Sequence, residues 1–201
     1  TINVRTVTEL VNAVEDANTA GGNRMILLED GLYTLSQMLW ISGENMAFRS
    51  RSGNRDAVII QGQGMYGGVS HIFNVRGHNF AAIDLTIGWV ANHAIQVHSN
   101  SDSPLIHNVR FVDTFEQMFK GSYEKGNPMS SERGIIEWCE FEYTAGIGPQ
   151  WYIGGIDVHQ GQDWIVRNNI FKHIRSPKSG TNWLAEHAIH FWSESQNTLV
   201  E

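Results

Sequence analysis

The chain has 201 residues, of which 41% are hydrophobic and 17% are charged, with nine histidines and one cysteine. This length and apolar fraction suit a folded domain with a substantial core and exclude an intrinsically disordered chain. The single cysteine, Cys139, excludes a network of internal disulfides. The formal net charge of −7 disfavours nucleic acid as a partner. An acidic polymer would need a local positive patch or a bridging metal ion to bind.

Targeting signals are not evident in the sequence. No apolar run approaches the roughly 20 residues of a membrane-spanning helix, so we expect no membrane partner. The first residues, TINVRTVTEL, lack the charged and then apolar layout of a signal peptide. The chain is therefore expected to be either cytosolic or the mature form of an exported protein.

The first element is predicted to be a helix over residues 6–20. Thr6 and Glu9 have the spacing of a capping box, in which each side chain bonds the other residue's backbone N–H. Apolar residues such as Leu10 and Val14 then recur at helical spacing, and Gly21 and its neighbour supply a stop.

Residues 24–201 are predicted to form short strands that repeat. Phe111, Phe141 and Phe171 each close an extended run and lie at a constant interval of about 30 residues. A second set of similar runs is AIQVH (94–98), GIDVH (155–159) and AIHFW (188–192). Matching strands at matching positions favour a parallel β-solenoid over an antiparallel sandwich. The asparagines at 108, 168, 169 and 197 are expected to form corners or an internal hydrogen-bonded ladder.

The opening helix leads into MILLEDGLYTL and then into rungs such as VIIQGQG, NVRFVD and IVRNNIF. This pattern resembles the pectate-lyase-like right-handed parallel β-helix superfamily over essentially the whole chain. The resemblance implies an all-β fold with one β-helix domain over residues 1–201, which the N-terminal helix caps. The superfamily includes lyases, hydrolases, esterases, epimerases and non-catalytic tailspikes. The sequence ends within a rung at Glu201. This suggests that the chain is a fragment of a longer β-helix, or that it forms a homo-oligomer through its last rung.

Alternation of side chains along the second strand set predicts two neighbouring outward-facing columns, in which groups on successive rungs lie about 4.8 Å apart. The first column is expected to hold Gln96, Asp157 and His190, and the second His98, Lys120, His159 and Trp192. The insertion loops 121–133, 144–153 and 175–186 are expected to wall the same groove. They bring Arg133, Trp151, Tyr152, Trp183 and Glu186 towards it.

These groups suit the cleavage of an acidic polysaccharide by β-elimination, which needs a base near neutrality and a positive group for the carboxylate. The candidate catalytic residues are Lys120, His159, His190 and Arg133; the resemblance nominates Lys120 and Arg133, since lyases of the superfamily generally use a Lys or Arg base. The candidate sugar-binding residues are His98, Trp151, Trp183 and Trp192. Asp157 and Glu186 are candidate ligands for Ca²⁺.

Three functions follow as hypotheses. The first is a secreted or periplasmic polysaccharide lyase that acts on a uronate-containing polymer. The second is a glycoside hydrolase, for which Asp157 and Glu186 could form the carboxylate pair. The third is a non-catalytic carbohydrate-binding or structural β-helix.

Overall fold

The computed structural model describes residues 1–127, 129–177 and 185–201. Within these ranges the chain forms mostly short strands and a single α-helix. In chain order the elements are β1 (Ile2–Val4), α1 (Val7–Thr19), β2 (Gly22–Leu28), β3 (Gly31–Thr34), β4 (Leu39–Ile41), β5 (Glu44–Ser50), β6 (Val58–Gln61), β7 (Phe73–Val75), β8 (Ala81–Ile83), β9 (Thr86–Val90), β10 (Ile95–Val97), β11 (Leu105–His107), β12 (Arg110–Thr114), β13 (Phe119–Gly121), β14 (Ser131–Glu132), β15 (Ile135–Glu137), β16 (Glu140–Glu142), β17 (Gly154–His159), β18 (Gly161–Gln162), β19 (Ile165–Arg167), β20 (Ile170–Lys172), β21 (His187–Trp192) and β22 (Leu199–Val200).

The strands stack into three long parallel sheets, and successive strands of the chain pass from one sheet to the next. Sheet A has the order β1-β2-β5-β8-β11-β15-β19-β22, and sheet B has the order β3-β6-β9-β12-β16-β20. Sheet C has the order β4-β7-β10-β13-β17-β21, and β14 pairs with β18 at a corner. Each turn of the coil thus adds one strand to each sheet. The predicted parallel β-helix is confirmed.

Helix α1 covers the N-terminal end of the coil. Thr6 is its N-cap and forms the predicted capping box with Glu9. The buried side chains of α1 pack against β1, β2 and β4. Strand β1, which precedes the helix and pairs with β2, was not predicted, so the sheet begins before residue 24. In the parts of the chain that the structure describes, no helix has the length and apolarity needed to cross a bilayer.

The interval of about 30 residues in the sequence reflects a stack of phenylalanine rings inside the coil. The Phe111 and Phe141 ring centroids lie 4.5 Å apart with the planes 7° from parallel. Those of Phe141 and Phe171 lie 4.9 Å apart at 9°. These residues pair directly across β12, β16 and β20, so each rung repeats the ring of the rung before it.

The corners between strands use the left-handed backbone conformation. Asn108, Asn168 and Asn197 have φ values of 52°, 55° and 55°, a region in which asparagine is more easily accommodated than most residues. Asn169 instead points inward, where its side chain bonds the backbone N–H of Cys139 and the carbonyl of Ile136. The predicted corner role is therefore confirmed for Asn108, Asn168 and Asn197, whereas Asn169 bonds the backbone of the neighbouring rung.

Two buried histidines lie where the chain enters sheet C. The rings of His71 and His93 are 5.6 Å apart, and His93 Nδ1 donates a hydrogen bond to the Gln117 carbonyl at 2.7 Å. Burial lowers the pKa of His71 to about 4 and that of His93 to about 3. Both are 6% exposed or less and are therefore neutral in the folded protein at neutral pH.

We expect this pair to make the fold sensitive to mild acid. Below the ordinary histidine pKa of 6.5, the unfolded chain binds protons that the folded chain does not, so stability falls as pH falls. Well below pH 6.5 each histidine costs about 1.4 kcal/mol per pH unit, and about half of that at pH 6.5 itself, so the pair predicts a loss of about 3 kcal/mol on going from about pH 6.5 to about pH 5. Urea unfolding at several pH values measures this slope. His93→Gln should remove about half of it, and an unchanged slope would contradict the assignment.

Candidate functional site

Sheet C carries a line of outward-facing side chains, which we name column one. Strand register places in it Trp40, Asn74, Gln96, Lys120, Asp157 and His190. A second line, column two, lies two residues further along each strand and pairs His159 with Trp192. By the same register His98 and Ser122 extend column two towards the N-terminal rungs.

The position predicted for Lys120 in column two is wrong. Phe119 is the inward residue of β13, and it aligns with Ile95 of β10 and Ile156 of β17. Side chains alternate along a strand, so Lys120 aligns with the next residue of each neighbour, which is Gln96 on one side and Asp157 on the other. This register places the lysine directly beside a carboxylate instead of between two histidines.

Lys120, Asp157 and His159 form a compact buried cluster. Lys120 Nζ donates to Asp157 Oδ2 at 2.5 Å and lies 3.0 Å from His159 Nε2. His159 Nε2 also lies 3.6 Å from Asp157 Oδ1, so this imidazole contacts both members of the Lys120–Asp157 pair. Lys120 also lies 5.9 Å from the centre of the Tyr152 ring. The lysine therefore reaches His159 although the two residues lie in different columns.

Asp157 is the electrostatic centre of the cluster. Burial alone would raise the pKa of this carboxyl, but the contacts with His159 and the Lys120 ammonium outweigh burial and hold the pKa well below its usual range. The side chain is 1% exposed. Oδ1 accepts a hydrogen bond from Trp192 Nε1 at 3.1 Å and lies 3.4 Å from His190 Nδ1. Asp157 is thus a permanent anion on which the neighbouring side chains converge.

His190 and Trp192 contact Asp157 and are themselves partly exposed at the surface. Their side chains lie on the same face of β21 with ring centroids 5.4 Å apart and planes within 7° of parallel. The His190 side chain is 46% exposed, whereas that of His159 is 13% exposed. A cleft of about 350 Å³ opens here, lined by Tyr152, Ala185, Glu186, His187, His190 and Trp192. Of the imidazoles around Asp157 that the structure describes, His190 is the one most accessible to a ligand.

His187 lies at the inner side of the same cleft. Its Nδ1 is 2.9 Å from the Ala185 carbonyl, which can only accept, so Nδ1 carries the hydrogen and Nε2 carries the lone pair. Burial lowers the pKa of His187, which favours this neutral form. The ring occupies the space that a Cβ at position 154 would need, because such an atom would lie 2.4 Å from Nε2. Gly154 therefore makes room for the imidazole.

His98 belongs to a separate cluster at the N-terminal part of sheet C. Its Nε2 lies 2.5 Å from Asn74 Oδ1, and its Nδ1 lies 3.0 Å from Glu124 Oε1. Burial lowers the pKa of His98, an effect that the hydrogen bond to Glu124 opposes. Trp40 contacts the His98 ring edge-on and also lies under the guanidinium of Arg76. The structure thus places an exposed tryptophan and a cation in the same two columns, several rungs from Lys120.

The insertion loops contribute less to the cluster than the sequence predicted. Arg133 occupies a left-handed corner with φ 55° and pairs with Asp102 at 3.3 Å and with Glu132, so the structure does not bring it to Lys120. Trp151 is 44% exposed and packs against Tyr152 at the outer wall. Trp183 lies outside the described residues.

The donor set around the cleft does not suit Ca²⁺. The Glu186 carboxylate accepts a hydrogen bond from the Ser176 backbone N–H, and the structure does not group it with Asp157 as a shared oxygen site. Ca²⁺ takes about six to eight oxygen ligands, whereas the groups that converge here among the described residues are one carboxylate and two imidazoles. The calcium site at Asp157 and Glu186 therefore stays a prediction, which the described residues do not support with a shared set of oxygen ligands.

Two solved structures share this architecture. An alginate lyase from Paenibacillus sp. str. FPU-7 superposes with a TM-score of 0.57 at 17% identity, over 99% of this chain and 75% of the lyase. A pectin methylesterase from Yersinia enterocolitica superposes with a TM-score of 0.51 at 17% identity, over 79% of this chain and 55% of the esterase. The fold is a pectate-lyase-like parallel β-helix.

No protein-family model and no curated protein sequence matches this β-helix. The chain spans about half of the length of the methylesterase. At 17% identity the likeness establishes the fold and leaves the chemistry of the site to its own residues.

Sequence reasoning missed His187 as a member of the site. The signal was the spacing of His187 and His190 in HAIH, which places both imidazoles near the start of one strand. Its meaning depends on Gly154 in the neighbouring strand β17, whose missing side chain admits the His187 ring. That dependence on a partner strand became visible only once the register was known.

Proposed function

We propose that this β-helix is a polysaccharide lyase that cleaves an acidic, uronate-containing polymer by β-elimination. The observation that carries the proposal is the pairing of His190 with the buried anion Asp157 at the wall of an open cleft. Because Asp157 faces Nδ1, that nitrogen holds the hydrogen and Nε2 is left with a lone pair for a substrate proton.

The reaction follows from these positions. His190 Nε2 takes the proton from the carbon that bears the uronate carboxylate, and the resulting electron pair forms a double bond to the adjacent carbon. The bond from that carbon to the glycosidic oxygen breaks, and the leaving oxygen takes a proton from water. Asp157 stabilises the imidazolium that forms on His190. No water is added across the bond, so the new end of the chain is unsaturated.

The substrate carboxylate needs a positive partner, and Lys120 is the candidate. An ammonium has three N–H donors, of which Asp157 and His159 engage two. The third has no hydrogen-bond partner among the described residues and is available to an anionic ligand. Lys120 is thus assigned to carboxylate binding and His190 to proton abstraction.

Aromatic side chains provide the sugar platform. Trp192 and Tyr152 line the cleft, and Trp151, which is 44% exposed like Trp192, packs against Tyr152 beside it. Such rings present an apolar face with a polar edge to a ligand. His98 and Trp40, on earlier rungs of sheet C, extend the proposed binding surface along the coil.

Glycoside hydrolysis fits the site less well. It requires two accessible carboxyl groups, one of which must be protonated. Asp157 is almost fully buried with a lowered pKa, and the Glu186 carboxylate is engaged by the Ser176 backbone. The cleft therefore offers imidazoles where a hydrolase would offer carboxyl groups.

A panel of alginate, pectate and glycosaminoglycans tests the proposal. Elimination produces ultraviolet absorbance from the unsaturated uronate, and we expect this signal with at least one polymer and without added Ca²⁺. Reducing ends without absorbance would indicate hydrolysis. Binding without any product would indicate a non-catalytic β-helix, and either result would overturn the proposal.

A further inference from the structure

A second function of the same cleft follows from the three groups that converge at its floor. Asp157, His187 and His190 each offer one ligand atom, and these three atoms lie within 4.8 Å of one another. The set combines one carboxylate and two imidazoles from the adjacent strands β17 and β21. Three protein ligands with one open position is the arrangement that Zn²⁺ adopts in many sites.

The protonation state of His187 suits a metal ligand. Its Nδ1–H is bound to the Ala185 carbonyl at 2.9 Å, which fixes the tautomer that leaves Nε2 free to coordinate. Nε2 is buried and has no hydrogen-bond partner among the described residues. An unpartnered buried nitrogen costs free energy that a bound cation would recover. The hydrogen bond to the carbonyl is the outer contact that metal-bound histidines generally make.

Asp157 and His190 complete the set. Lys120 occupies Oδ2 of Asp157, while Oδ1 lies 3.4 Å from His190 Nδ1. A separation of this size is close to that between two ligands of one tetrahedral zinc ion, whose bonds are about 2.0–2.2 Å long. Oδ1 also accepts from Trp192 Nε1, and a carboxylate oxygen has lone pairs for both contacts.

We propose that Asp157, His187 and His190 bind Zn²⁺ or a similar first-row transition metal ion, and that the bound ion switches the site off. The inhibitory part rests on the proposed function. When a metal ion binds His190 Nδ1, the proton on Nδ1 passes to solvent and Nε2 takes up a proton from solvent, so the neutral imidazole then carries its hydrogen on Nε2. The lone pair that would take the substrate proton is then lost. With the ion bound, His190 is a metal ligand and no longer a base.

Direct binding tests the site independently of any activity. Isothermal titration with Zn²⁺ alone should report one ion per chain, and the visible spectrum of added Co²⁺ should show tetrahedral-type coordination. His187→Ala should weaken Zn²⁺ binding by at least about 100-fold, since even outer contacts of a metal site are worth about 10- to 100-fold. His107→Ala is the matched control, because His107 pairs with Glu137 on sheet A and should bind the ion as the wild type does.

His190→Ala provides a second variant, since its side chain is half exposed and its loss leaves the core intact. It should weaken Zn²⁺ binding to a similar extent. Equal Zn²⁺ affinity in the wild type, His187→Ala and His190→Ala would overturn the site. If the site binds Zn²⁺ and the wild type shows lyase activity, Zn²⁺ should abolish that activity in the wild type and spare His187→Ala. Binding without inhibition would overturn the switch and leave the metal site standing.

Discussion

Replacing His190 with alanine should lower the rate of uronate elimination by about 100- to 10,000-fold, the range that general base catalysis typically contributes. The loss should fall on kcat, because His190 acts on the proton and the aromatic side chains of the cleft still bind the polymer. Initial rates from ultraviolet absorbance, taken over a range of polymer concentrations, separate kcat from KM.

His107→Ala is the matched control for this variant. Its imidazole lies 2.9 Å from the Glu137 carboxylate, so it is also a histidine beside an acid, and its side chain is 39% exposed against 46% for His190. It lies on sheet A, away from the cleft. A similar loss in both variants would show that the effect comes from stability and would remove His190 from the proposed mechanism.

Replacing Lys120 with methionine should destabilise the fold by about 3–5 kcal/mol. The change leaves Asp157 as a buried anion whose main counter-charge is gone, and removing one partner of a buried pair typically costs this much. The double variant with Asp157→Asn removes the orphaned charge as well, so it should be more stable than the single Lys120 variant. Urea unfolding followed by circular dichroism measures both differences.

Lys172→Met provides the comparison on sheet B. Lys172 Nζ lies 2.9 Å from Glu140 Oε1, but its side chain is 43% exposed against 11% for Lys120. A solvent-exposed pair is generally worth less than about 1 kcal/mol. Equal losses of stability in the Lys120 and Lys172 variants would show that burial of the charge does not cause the larger effect. A double variant no more stable than Lys120→Met would show the same.

The architecture could be predicted because the sequence contains repeats and short-range motifs that indicate it. The phenylalanine interval depends on one ring stacking on the next, and the capping box at Thr6 involves residues three apart. The corner asparagines indicate left-handed backbone positions, which asparagine adopts more easily than most residues. None of these features requires knowledge of distant contacts. Strand β1 was missed because its three residues carry too little pattern to be read alone.

The site was predicted only in part because it depends on register and on corners. Asp157 and His190 were placed in one column correctly, since both belong to runs that match in sequence. Lys120 lies in a rung without that match: Phe119 was correctly predicted to face inward, but it was aligned with the second inward residue of each neighbouring strand, Val97 and Val158, instead of the first, Ile95 and Ile156. Arg133 occupies a left-handed corner, where the alternation of side chains that guided the prediction no longer applies.

Whether a water molecule is added across the broken bond distinguishes the proposed elimination from hydrolysis. A polymer that the protein cleaves is digested in water enriched in heavy oxygen. Mass spectrometry of the resulting oligosaccharides then reports whether solvent oxygen enters the product. Proton abstraction by His190 predicts unsaturated ends that carry no solvent oxygen. Products that have gained one molecule of heavy water for each bond broken, with no unsaturated end, would mean that water attacks the substrate, and would contradict the account.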